Sequence, residues 1–211
     1  MGRVSQAQAQ QNRKRIVETA ARLFRERGVA GVSVADVMAE VGLTHGGFYK
    51  QFASKEALVA EAVGQAFAEL SENLRNQDRD DFVRGYLSPA HRDNPGPGCP
   101  AAGFAGDLAH EPRTRTQEPR AHEPHAQADG QRAQADDQRA QADDQRGRAD
   151  EPAGAAVDAY ARGIGLYAAE LGSLADVATL VGAMILARAT AGTELSDRIL
   201  DEVRAALVSA A

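Results

Sequence analysis

The chain has 211 residues, a formal net charge of −6, 43% hydrophobic residues, no Trp and a single Cys. Scarce aromatics and a core of Ala, Leu, Val and Ile suit packed helices better than a β-sandwich, and one cysteine excludes an intramolecular disulfide. No stretch approaches the ~18 apolar residues of a membrane span, so a cytoplasmic protein with no membrane partner is expected.

The N-terminal MGRVSQAQAQQNRKR has basic residues but no apolar core of a signal peptide. MGRVSQ matches a myristoylation signal only loosely, with no second membrane signal beside it. Residues 1–9 read as a mobile polar arm. The first helix is predicted from Gln10 to Arg27, because Ile16, Ala20, Leu23 and Phe24 form one apolar face, and Gly28 ends it. Arg13, Lys14 and Arg15 near its start oppose the helix dipole. Contact with DNA phosphates explains them better than stability does; solvated charge is the alternative.

Ser33 opens a second helix, with Asp36 three residues on as a capping-box variant. Val34, Val37, Met38 and Val41 supply its inner face, and Gly42 permits a sharp turn. Thr44 caps a third helix predicted through Gln51. Phe48 and Phe52 should pack inward, turning His45, Gly47, Tyr49, Lys50 and Gln51 partly outward. Adjacent Gly46 and Gly47 each cost a helix about 1 kcal/mol relative to Ala. Close approach of backbone to DNA is one reason to keep them; a short, irregular helix is the other. Ser54 caps a fourth helix with Leu58, Val63, Phe67, Leu70 and Leu74 inside, and Lys55 in its first turn makes a good phosphate site beside free amides.

Charge is divided along the chain. Residues 1–60 carry nine Lys/Arg and five acids, a net +4, leaving −10 for the remainder. A basic head on an acidic body attracts phosphate in one place and avoids adhesion elsewhere.

The run IVETAARLFRERGVAGVSVADVMAEVGLTHGGFYKQFASKEALVAEAV resembles the tetracycline-repressor (TetR) family of bacterial transcriptional regulators. Its specific parts are A-x-x-L-F-x-x-x-G, V-x-x-V-G-L-T and G-x-F-Y-x-x-F-x-S-K-E-A-L. The resemblance implies an all-α homodimer with a three-helix helix-turn-helix DNA-binding head, a connecting helix and an α-helical ligand-binding and dimerisation body. It further implies that Ser33 contacts a phosphate. Thr44, His45, Gly46, Gly47 and Lys50 would face bases or nearby backbone, and Tyr49 and Lys55 would bind phosphates. His45 could donate to a guanine or a phosphate, or be solvated. The implied partners are a palindromic double-stranded operator, a second copy of the chain and an unknown small-molecule effector.

On this reading the head covers residues 10–56, and the connecting helix and first part of the body 57–110. Within the latter, a fifth helix could begin over Asp81–Leu87, the Pro/Gly run at 95–100 is a loop, and Cys99-Pro100 starts another helix. Cys99 at a helix N-terminus could have a depressed pKa and act as a redox switch, or be a small buried hydrophobe. Residues 111–152 contain no Val, Ile, Leu, Met, Phe, Tyr or Cys, and hold the heptads AQADGQR, AQADDQR and AQADDQR. Lacking an apolar seam, this low-complexity insert reads as a polar, transiently helical spacer or as disorder. It stands where the family has a long apolar helix. Tandem duplication or a local frame change could have produced it, and a body damaged there would leave a DNA-binding protein with no ligand response. His122 and His125, separated by Glu-Pro, make a poor metal site.

From 153 to 211, C-terminal dimerisation helices are expected. Tyr160, Ile164 and Tyr167 share one side of a helix weakened by Gly163 and Gly165. Ser173 and Asp176 form a capping box opening a helix with Leu180, Met184 and Ala187 on one face, where Gly182 and Ala183 allow close approach of another helix. The last helix spans Leu195 to Ala210, with Ile199, Leu200, Val203 and Leu207 inward. LVGAMILARA followed by LSDRIL resembles the family's dimer-forming pair. No nucleophile–base pair, metal-ligand set or phosphate loop stands in context, so neither an enzyme nor a cofactor is expected.

Overall fold

Ten α-helices and no strand make up the described residues, 6–110 and 154–208, of the computed structural model. The 111–152 insert and its heptads, His122 and His125, and the last residues of the chain lie outside them. Helix α1 spans Gln6–Arg27, α2 Val34–Glu40, α3 His45–Phe48 and α4 Lys55–Arg75. Then come α5 (Arg79–Tyr86), α6 (Pro89–Asp93) and α7 (Pro100–Ala109). After the undescribed stretch follow α8 (Ala155–Leu171), α9 (Leu174–Ala189) and α10 (Glu194–Leu207).

Local signals set most boundaries. Gly28 has φ +76° and donates to Phe24 O at 2.9 Å, closing α1. Ser54 accepts from Ala57 N–H at 3.1 Å, starting α4. Cys99 occupies the N-cap of α7 with Pro100 following, the position where a missing N–H does no harm. Asp78 caps α5, which begins two residues before its predicted start. Helix α1 begins at Gln6, four residues earlier than expected, so Arg13, Lys14 and Arg15 sit two turns inside it and hardly meet its N-terminal dipole.

One core unites the chain. Ile16, Leu23 and Phe24 of α1 join Phe48, Leu58, Val63 and Phe67, and continue through Val83, Phe104, Tyr167, Leu180, Met184 and Leu200. Helix α4 leaves the head and runs through the body, with Leu58, Val63, Phe67, Leu70 and Leu74 all buried as expected. Helix α8 packs along it. Gly163 is no mere weak point: a Cβ there would lie 2.3 Å from the Phe67 ring, so only glycine admits this ring. Phe67 also meets Tyr160 edge-on at 5.6 Å, and Arg75 reaches Glu170 at 3.0 Å.

The Ser173 cap of α9 is made, accepting from Ala175 N–H and Asp176 N–H, while the Asp176 carboxylate accepts from Arg79 at 2.9 Å. Leu180, Met184 and Ala187 are buried; of Ile199, Leu200, Val203 and Leu207 on α10, only Leu200 is fully so. No single helix among the described residues is long and apolar enough to cross a membrane.

Candidate nucleic-acid interface

The turn between α2 and α3 is built from short-range bonds. Ser33 and Asp36 cap each other. Asp36 N–H donates to Ser33 Oγ at 3.1 Å, and Asp36 Oδ2 accepts from Ser33 N–H at 2.8 Å and from the Ser33 hydroxyl at 2.6 Å. The hydroxyl first, then the amide, holds the Asp36 carboxyl below the usual carboxylate range. At the other end Gly42 takes φ +70°. Leu43 N–H donates to Met38 O at 2.9 Å and Gly42 N–H to Ala39 O at 3.0 Å, the paired bonds of a left-handed helix stop.

Helix α3 is shorter than predicted. It covers only His45–Phe48; Tyr49, Lys50 and Gln51 form a turn. Thr44 occupies the N-cap, but its side chain makes no cap bond. An uncapped start followed by two glycines gives too little local stability to carry the helix further. Packing fixes the segment instead. Phe48 and Phe52 are buried and stacked with centroids 5.3 Å apart. Truncating either to Ala would cost about 3–5 kcal/mol.

With those rings inside, the other face opens to solvent. Thr44, His45, Gly46, Tyr49 and Lys50 are exposed and Gly47 is half-buried. The His45 and Tyr49 rings meet edge-on at 5.6 Å. Nothing lies within 4 Å of a Cβ added at Gly46, and one at Gly47 would make only ordinary contacts with Met38 Cε and Thr44 Oγ1. Neither residue has positive φ. The protein's own packing therefore does not demand glycine at 46 or 47.

Ser33 is the N-cap of α2, and Lys55 begins α4. The Lys55 ammonium donates to Val29 O at 2.7 Å and is close enough to Asp36 to help hold its carboxyl down. It thus lies at the start of α2 beside Ser33, tied to a carbonyl rather than projecting past its own helix end.

Two of the three α1 cations expected at phosphates have internal work. Arg13 donates to Gln51 O and to Glu61, and its guanidinium lies 4.2 Å from the centre of the Phe52 ring. Arg15 donates to Val41 O at 2.9 Å. Arg22 adds a bond to Glu40 at 2.7 Å. These guanidiniums brace α2, its turn and the α3 segment from α1. Sequence reading missed this role, because their partners lie far along the chain. Lys14 stays exposed, 3.7 Å from Glu18.

Among the described residues no cluster of His, Cys, Asp and Glu could hold a metal ion. Cys99 is buried, and burial pushes its thiol pKa up, which fits the small buried hydrophobe and not the redox switch.

Residues 16–62 match the family profile described as bacterial regulatory proteins, tetR family. The transcriptional regulator TtgR of Pseudomonas putida is 36% identical over 84 residues, covering 39% of this chain and 40% of that protein. The transcriptional repressor DhaR of a Mycobacterium species is 28% identical over 103 residues, 46% of this chain and 52% of that protein. The chain thus spans about half the length, or less, of the curated relatives it matches. The fold extends further than the sequence likeness. The reduced form of NemR from E. coli superposes with a TM-score of 0.59 at 16% identity, over 95% of this chain and all of that one. A TetR-family regulator from Agrobacterium tumefaciens gives 0.55 at 20% identity, again over 95% and 100%.

Proposed function

We propose that the chain, whose residues 16–62 match the tetR family of bacterial regulatory proteins, is a non-enzymatic transcription repressor of that family acting in the cytoplasm as a homodimer. Two heads would read the half-sites of a near-palindromic operator on successive major-groove turns. The observation that carries this is the bare edge of α3: Gly46 has open space beside it and no conformational need to be glycine. Its neighbours Thr44, His45 and Lys50 are exposed on a segment braced from α1. Such an edge lets a DNA backbone come close while few side chains read bases. Tyr49, with Ser33 and Lys55 at the start of α2, would fix the register on phosphates.

Dimerisation is supported by large apolar side chains left exposed near the C-terminus. On α9 Leu186 is 57% exposed and Ile185 40%; on α10 Leu195 is 50% exposed. They fall in the two segments whose sequence resembles the family's dimer-forming pair. Open space beside Gly182 suits a second helix there.

Binding of the purified protein to its own upstream region, against random DNA at two salt concentrations, tests the reading. A preference of at least about 10³-fold that survives added salt is expected. Equal affinity for all DNA, falling equally with salt, would refute it.

A further inference from the structure

Resting on the regulator reading, we propose that Arg13 and Arg15 of α1 are positioning residues for sequence recognition. Their two guanidiniums clamp the DNA-facing segment at its two ends and set base discrimination without touching DNA. Arg15 holds the Val41 carbonyl, 2.9 Å away, where α2 gives way to the turn. Arg13 holds the Gln51 carbonyl, in the turn between α3 and α4. The exposed residues from Thr44 to Lys50 all lie between these two points.

The segment has little means of holding its own position. Helix α3 is a single turn, His45–Phe48, with no side-chain bond at its Thr44 cap. Forming a first turn fixes about six dihedrals for one hydrogen bond, and Gly46 and Gly47 weaken this turn further. Its buried attachment is the stacked pair of Phe48 and Phe52 rings. Two rings on one side leave the segment able to rock about them. Reading base edges needs side chains held to within about 0.5 Å, so fixed points at both ends matter.

The clamp requires arginine. Two residues apart on a helix, the side chains at 13 and 15 leave α1 on roughly opposite sides, so they reach two ends rather than one point. Val41 O is an orphan carbonyl at the end of α2 and takes a donor from outside its helix. Arg13 serves three neighbours at once. It donates to Gln51 O and to Glu61 of α4, and its guanidinium lies 4.2 Å from the centre of the Phe52 ring. A planar fork with several donors can do this; a compact ammonium cannot lie flat on a ring and reach two diverging oxygens. Arg22 adds Glu40, the last residue of α2, at 2.7 Å. Lys14 is the contrast, its side chain 72% exposed and 3.7 Å from Glu18.

A phosphate contact and a clamp make different demands. At a phosphate, lysine brings the same charge and serves as a point-charge donor. Phosphates carry no sequence, so a change there alters specific and random DNA binding alike. At the clamp, lysine keeps the charge but loses the fork. The segment then loosens and only base reading suffers, while the head's attraction for any DNA is unchanged. The Arg13–Glu61 pair is 38% and 41% exposed and by itself anchors little. The carbonyl and ring contacts hold the segment.

The full chain carrying both Arg13→Lys and Arg15→Lys tests this with two readouts. Hydrogen exchange of the DNA-free protein, read by mass spectrometry, should show the amides of residues 42–52 exchanging about tenfold faster, with α1 and α4 at wild-type rates. Affinity for the protein's own upstream region should fall about tenfold, while affinity for random DNA and its salt dependence stay as in the wild type. Should the double variant lose its helix signal by circular dichroism, each single variant is measured in the same way. Wild-type exchange over 42–52 overturns the clamp in favour of phosphate contact or solvated charge. Faster exchange spread evenly over the head overturns it in favour of general stabilisation. A loosened segment with undiminished preference for the upstream region overturns the link to base discrimination. Wild-type protein that binds all DNA equally sinks the regulator reading, while the exchange result still decides the clamp.

Discussion

Gly46 separates stability from recognition at a single residue. With open space around it and negative φ, Gly46→Ala removes backbone freedom from the unfolded chain at no steric cost. Thermal unfolding should be unchanged or slightly raised, by at most about 1 kcal/mol. Operator affinity should nonetheless fall at least tenfold, as the methyl group meets DNA. A parallel loss of stability and affinity would mean that the glycine serves the fold. Ser33 serves stability as well as the proposed phosphate contact. Its oxygen caps α2 and its hydroxyl and amide serve Asp36, so Ser33→Ala should cost about 1 kcal/mol in urea unfolding.

At the scale of elements, two contacts between helices are sharply testable. Gly163→Ala in α8 drives a methyl group into the Phe67 ring of α4. A loss of about 1–3 kcal/mol is expected from overpacking, partly restored by Phe67→Leu in the double variant. Additive losses in that cycle would show that the two residues do not clash. The α6 segment carries a pH dependence through His91. Burial, opposed by its bond to Tyr86 O and helped by Arg188, lowers its folded pKa below the usual 6.5. The unfolded chain then takes up the proton first, so stability falls as pH drops below about 6.5. Thermal melts between pH 7.5 and 5 should show that decline, and His91→Gln should flatten it. Asp36 and Asp93, held low by Ser33 and Arg92, add their losses only as pH falls below about 4.

For the whole molecule, charge and apolar surface are separated along the chain. On the proposed reading the basic head would attract DNA, while the acidic remainder would limit adhesion elsewhere. Exposed Leu186 and Ile185 on α9 sit far along the chain from the head. Leu186→Glu should therefore move the protein from dimer to monomer in sedimentation velocity, while leaving the far-ultraviolet helix signal intact. Operator affinity should drop with it, since one head alone binds a single half-site. A dimer that survives the substitution would place the interface elsewhere.

Signals that act over a few residues were legible in the sequence. The Ser33–Asp36 box, the left-handed stops at Gly28 and Gly42, the Cys99-Pro100 start of α7 and the inward Phe48–Phe52 pair all depend on neighbours within one or two turns. The motif around them identified the head and predicted an all-helical body. Long side chains were not legible in the same way. Arg13 and Arg15 read as phosphate contacts or solvated charge and Arg25 only as part of the head's net charge, yet their partners are Gln51, Val41 and Gly96, 38, 26 and 71 residues away. Gly163 looked like a weakness until the Phe67 ring was found against it, and of the two readings of Cys99 burial selects the small hydrophobe over the redox switch. The sequence by itself determined where α1 and α2 stop and which side of each long helix faces inward, because caps and apolar periodicity are local. Only the tertiary structure decided which cations stay exposed and which brace the molecule, because a guanidinium's fate depends on the carbonyls and carboxylates that folding brings within its reach.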